Sequence, residues 1–163
     1  MRSFLIVALI AIGCSTTGAR EDHPVSNRDN STTPTPRPSG AKVYLSTPRG
    51  EVGVEVEVVK TPRAIERGLM FRQNLPPDDG MLFLLGVEKD WPFWMRNTLI
   101  PLDMIYIAKD MKVVGVVANA EPETDTIRSV GETSLYVLEV NGGWCASRGV
   151  SVGSKVRFEK VEP

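Results

Sequence analysis

The chain has 163 residues, with 19 lysines and arginines against 20 aspartates and glutamates and a formal charge of -1. A balance so close to neutral supplies no basic field for a phosphate backbone, so nucleic acid is not an expected partner. Two cysteines and one histidine exclude a dense disulfide framework and a histidine-rich metal centre.

The N-terminus, Met1-Arg-Ser-Phe-Leu-Ile-Val-Ala-Leu-Ile-Ala-Ile-Gly-Cys14, places one positive charge before a short apolar stretch and a small residue before cysteine. That is the pattern of a secretory signal over residues 1–13, with an apolar stretch too short for a stable membrane span. Ala11-Ile12-Gly13-Cys14 resembles the bacterial lipoprotein cleavage box, which implies cleavage before Cys14 and acylation of its thiol. The expectation is an exported protein, anchored to the membrane of the cell envelope through lipidated Cys14. Ser15 is not a retention signal of the aspartate type, so the outer membrane is the expected destination if the cell has one. Cleavage removes Arg2 alone among the charged residues and leaves 18 basic against 20 acidic side chains. With Cys14 acylated, Cys145 has no partner in the chain, and a buried inert thiol is its expected state.

Residues 14–40 include Asp29-Asn-Ser-Thr-Thr-Pro-Thr-Pro-Arg-Pro-Ser-Gly40 and almost no large apolar side chain, the composition of a disordered tether. His23, the one histidine, lies in it, so neither a histidine triad nor a histidine metal site is expected. Residues 41–163, about 120 in all, suffice for a single domain with a hydrophobic interior.

Within that domain Lys42-Val-Tyr-Leu45 is a short strand, and valines at 52, 54, 56 and 58 alternate with glycine and acids in a second, leaving Glu55 and Glu57 on the wetter face. Thr61 to Met70 is a short helix, with Thr61 as cap, Pro62 at its first position and Gly68 weakening its end. Asn74-Leu-Pro-Pro-Asp-Asp-Gly80 is a turn before the apolar run Met81 to Leu85. Pro92 and Pro101 interrupt the aromatic segment between them. Leu102 to Ala108 is a strand carrying Asp103, and Lys109-Asp-Met-Lys112 turns it into Val113 to Ala118 as a hairpin. Glu121, Glu123 and Asp125 occupy a loop without the spacing or glycine of a calcium loop, so a solvated loop is expected and no metal. Leu135 to Val140 is a strand or a short helix ended by Asn141-Gly-Gly143, and Lys155 to Phe158 is a closing strand. The expected fold class is α+β: a compact, antiparallel-rich bent sheet or partly closed β-barrel with one or two short helices.

Six blocks in order carry a family resemblance: Arg67-Gly-Leu-Met-Phe-Arg72, Gly80-Met-Leu-Phe83, Phe93-Trp-Met-Arg-Asn-Thr98, Ile100-Pro-Leu-Asp-Met-Ile105, Val137-Leu-Glu139 and Gly149-Val-Ser-Val-Gly153. The segment resembles the bacterial and archaeal domain of unknown function 192 family. The resemblance implies a single compact α+β domain around a strongly bent sheet, often exported, and assigns no biochemical role.

For chemistry, Arg67, Arg72 and Arg96 offer planar donors, Asn97 an amide, and Asp103 and Glu139 acceptors, a mixture suited to a sugar, a peptide or a small carboxylate. The same set also suits bracing, with Arg67 or Arg96 paired to Asp103 or Glu139. Trp91, Phe93 and Trp94 are a candidate aromatic platform, and Trp144, beside two glycines, is the tryptophan expected to be most exposed. The functional expectation is a binding or accessory domain for a glycan, peptide or envelope protein, without cofactor. The alternatives are a small hydrolase dividing acid and base duties between Asp103 and Glu139, and a purely structural envelope protein.

Overall fold

The computed structural model describes residues 40–162, so the expected signal peptide, lipidated Cys14 and tether, Gly40 apart, lie outside the described residues. The described chain runs β1 (Ala41–Thr47), β2 (Gly50–Val59), α1 (Pro62–Arg67), β3 (Asp79–Lys89), β4 (Leu102–Ile107), β5 (Val113–Ala120), β6 (Ser134–Asn141), α2 (Trp144–Arg148) and β7 (Val156–Glu159). The strands form one sheet in the order β5-β4-β6-β3-β2-β1-β7, bent into a half-barrel, and the domain is α+β. Every pairing in it is antiparallel except β2 with β3, which α1 connects as a crossover.

Local chemistry accounts for the first elements. Thr47 turns the chain from β1 into β2, its hydroxyl donating to the Gly50 carbonyl at 2.8 Å and accepting the Arg49 N–H at 3.1 Å. The alternating valines of β2 place Val54 and Val56 wholly inside, as expected. The helix predicted over Thr61 to Met70 is shorter, Pro62–Arg67: Thr61 accepts the Ala64 N–H, Pro62 stands in the first turn, and Gly68 at φ +46° ends it. The apolar run at Met81 belongs to a longer strand, Asp79–Lys89, because register with both β2 and β6 extends it. The ambiguous Leu135 to Val140 segment is strand β6, held between β3 and β4. Helix α2, five residues, is the second of the one or two short helices expected, at a position the sequence did not mark.

Because strands alternate their side chains, the sheet is buried on both faces. On one face Val43, Val54, Leu82, Ile105, Leu138 and Val140 pack together with Trp144 and Cys145 of α2. On the other, Met81, Phe83, Met104, Tyr106 and Val137 pack beneath Leu69, which follows α1, and Met95 of the aromatic segment. Every residue of β4 is buried, which explains why its sequence lacks a polar alternation apart from Asp103.

Gly80 is required where β3 meets β6, since a Cβ there would lie 2.5 Å from the Glu139 carbonyl oxygen and 3.1 Å from Val54 and Val140. Backbone cannot yield as a flexible side chain does. Gly80→Ala should therefore lower stability by about 2–3 kcal/mol in urea denaturation, and a loss below about 0.5 kcal/mol would show that the strands separate without cost.

Candidate functional site

The aromatic segment is held in place mainly by backbone. Phe93 and Arg128 exchange N–H to carbonyl bonds at 2.9 and 2.8 Å, Met95 donates to the Thr124 carbonyl at 3.0 Å, and Glu123 donates to that of Thr98 at 3.0 Å. Met95 plugs the core with no exposed surface. Asn97, at φ +55°, accepts the Phe71 N–H on its carbonyl at 2.7 Å, tying the turn after α1 to the segment. Phe93 then stands edge-on to both Phe83, centroids 5.2 Å apart, and Tyr106, 6.0 Å apart.

Under this aromatic layer a narrow crevice of about 30 Å³ opens between α1 and the sheet, lined by Arg67, Gly68, Phe83, Phe93, Trp94 and Glu139. It continues into an apolar groove of about 270 Å³ along Leu85, Lys89, Trp91, Pro92 and Ile127, with Ile65, Glu66, Phe93 and Trp94 common to both. Glu139 is only 4% exposed and lines this crevice, yet no described residue donates a hydrogen bond to its carboxyl. Burial alone pushes that carboxyl up to about 8, because a desolvated carboxylate with no donor or cation is strongly disfavoured. Gly68 leaves the opening clear: a Cβ there would come within 3.8 Å of Oε2 of Glu139. Tyr106 is a neighbour on the same face; its phenol is pushed above its ordinary range by burial first and by the charge of Glu139 second, and its hydroxyl donates to the Arg128 carbonyl at 3.3 Å.

Asp103 has a different environment. It is fully buried, and its carboxylate accepts three backbone N–H groups: Asn119 at 2.7 Å, Gly143 at 2.9 Å and Cys145 at 2.8 Å. It fastens the end of β5 and the start of α2 to β4. Register explains the separation from Glu139, since Asp103 pairs with Val140 and Met104 pairs with Glu139, so adjacent positions put the two carboxyls on opposite faces of the sheet. The expected sharing of acid and base duties between them is corrected by this geometry.

The arginines do not brace either acid. Arg72 forms a two-pronged pair with the half-buried Glu57 of β2 at 2.5 Å. Arg96 pairs with Asp125 in the loop at 2.7 Å and stacks on Trp94 at 4.5 Å, and the bonded guanidinium holds the Asp125 carboxyl below its ordinary range. Asn97 directs its amide to the Met70 sulfur, 3.9 Å away, rather than to the crevice. Arg67 alone of the three arginines reaches the crevice lining, and it is exposed. Trp91 and Trp94 are half-buried along the groove. Trp144 is a correction: it is 5% exposed and packs inward, its indole N–H donating to Asp78 at 3.1 Å, because α2 turns it onto the sheet. Arg148 also bonds Asp78, so the wide, shallow depression over α2 is rimmed by groups already paired. Burial first, and Asp103 second, pushes the Cys145 thiol far above its usual range, which removes thiolate chemistry.

Sequence reasoning named Arg67 and Glu139 but not Gly68, Phe83 or Thr98 as their neighbours. The glycine ending a helix before a Leu-Met pair was the available signal. Among the described residues no three histidine, cysteine, aspartate or glutamate side chains are grouped to hold a metal ion.

A half-barrel sheet with a buried acid, Glu139, under an aromatic loop defines a small α+β domain with a carboxyl lining its crevice. The chain belongs to the domain of unknown function 192 family, described as "Uncharacterized ACR", whose model matches residues 44–158. It is similar to a solved protein of unknown function from Novosphingobium aromaticivorans DSM 12444, at 38% identity and a TM-score of 0.69 over 71% of this chain and 83% of that one. It is also similar to a Sinorhizobium meliloti 1021 protein described as a candidate transcription regulator, at 38% identity and a TM-score of 0.70 over 72% of this chain and 92% of that one. No curated protein matches the chain.

Proposed function

We propose that this chain is an exported envelope lipoprotein whose domain binds a small ligand, or a side chain of a peptide or protein partner, in the crevice and groove between α1 and the aromatic segment. The observation that carries the reading is Glu139, a buried carboxyl without a donor at the bottom of an opening. Keeping such a group in a core costs stability, and a role in binding accounts for that cost. The groove beside it gives a ligand body apolar walls and two indoles, the usual composition of a binding site. The near-neutral charge does not favour contact with a phosphate backbone, so the transcription-regulator description of the Sinorhizobium protein is not carried over to this chain.

Thermal shift of the full chain against envelope glycans, peptides and small metabolites tests the binding reading. A saturable ligand that stabilises the chain and is weakened at least about tenfold by Trp94→Ala is the expected result. Ligands that bind equally well to Trp94→Ala would place recognition elsewhere, and an absence of any shift would favour a purely structural role. Anchoring is tested by labelled palmitate, which Cys14→Ser should no longer incorporate.

A further inference from the structure

We infer that the crevice is built to take the head of a primary amine, a lysine side chain or an alkylammonium, with Glu139 as its counter-charge, Phe83, Phe93 and Trp94 as its walls, and the adjoining groove as the bed for its apolar stem. The inference rests on the binding reading above and names the ligand class. Size comes first. The crevice, about 30 Å³, holds about two water-sized groups, which admits an –NH3+ head and excludes a bulky quaternary one.

Chemistry comes second. Ring faces carry negative electrostatic potential and attract cations, and a buried carboxylate makes its strongest hydrogen bonds to charged donors. Rings of this same segment already hold cations of the chain: the Lys89 ammonium sits 3.9 Å from the Trp91 centroid, and the Arg96 guanidinium 4.5 Å from that of Trp94. The charged and titratable groups around Glu139 are Glu66 and Arg67 on α1 and Tyr106 on β4, with Arg96 stacked on Trp94. Once Glu139 is ionised, the crevice lining carries two carboxylates against the single guanidinium of Arg67, while Lys89 of the adjoining groove is held over Trp91. The third argument is the groove itself, whose walls of Ile65, Leu85, Trp91 and Pro92 match a hydrocarbon stem continuing from the amine.

Binding has a proton balance. The entering amine is already protonated at neutral pH, so the ion pair forms when Glu139 gives its carboxyl proton to solvent, one proton released for each amine bound. Apparent affinity then rises about tenfold per pH unit and levels off above about 8, where Glu139 is ionised without help.

The test is titration of the full chain with butylammonium and with its neutral analogue n-butanol at pH 6, 7 and 8.5, followed by calorimetry and by NMR of the Gly68 amide and Trp94 indole. Butylammonium should saturate, shift both resonances, and bind more tightly as pH rises. Glu139→Gln should lose the amine and its pH dependence while keeping whatever weak affinity butanol shows, and Trp94→Leu should weaken butylammonium several-fold more than butanol. Butanol binding in the crevice as tightly as butylammonium, or amine binding indifferent to pH, would overturn the amine assignment and leave the binding site standing. If neither compound moves the crevice resonances, the amine assignment falls; if the ligand panel above is also silent, the binding reading falls with it.

Discussion

Asp103→Ala is expected to destabilise the domain by about 4 kcal/mol, because it strips the acceptors from three backbone N–H groups, that of Cys145 buried and those of Asn119 and Gly143 partly so. Those donors belong to Asn119, Gly143 and Cys145, so β5, the β6–α2 connection and α2 would loosen together. Asp103→Asn is expected to cost less, about 2 kcal/mol, since one amide oxygen still accepts from Asn119 and Gly143 while the new –NH2 opposes the Cys145 N–H. Urea denaturation followed by tryptophan fluorescence gives both values, with an unchanged denaturant slope showing that the folded state itself is preserved. Equal costs for the two variants would show that the paired donors on Oδ1 contribute nothing.

Glu139→Gln should do the opposite, raising stability by about 3 kcal/mol at pH 7 and by almost nothing at pH 4. The sign follows from where each state ionises. In the unfolded chain the carboxyl ionises near 4.5, whereas in the folded domain burial holds it neutral up to about 8. Between those values the folded state binds more protons than the unfolded one, so the wild-type contribution is favourable below about 4.5, falls as pH rises, and is flat above about 8. Glutamine cannot ionise and is spared that loss. Thermal unfolding of both proteins from pH 4 to 9 checks it: melting curves that stay parallel across this range would mean that Glu139 finds a donor on folding. A stabilised variant that no longer binds would also mark Glu139 as a residue retained for use at the expense of stability.

The two carboxyls show where sequence reading stops. Both Asp103 and Glu139 stand out in apolar runs as residues that need a reason, and each has one. Their spacing along the chain says nothing of how β4 pairs with β6, and a shift of one residue in that pairing decides whether two acids share a face. The arginines are similar. Arg72 and Arg96 pair with Glu57 and Asp125, acids expected merely to be wet, because ion-pair choice depends on which loops meet and not on residue type. Trp144 lay next to two glycines, which mark a turn but not the direction of the helix after it.

What the sequence by itself determined is the local and periodic part. The valine alternation produces β2, Thr61 and Pro62 start α1, Gly68 stops it, and six ordered blocks identify the family, since each depends on residues a few positions apart or on their order along the chain. The lipidated and tethered N-terminus is a reading of the sequence alone. Only the tertiary structure decided that Asp103 is a fastening and Glu139 an unpaired acid in a crevice. Burial, register and donor supply are properties of segments distant in sequence, and they set the chemistry of two acids that the chain writes in nearly the same way.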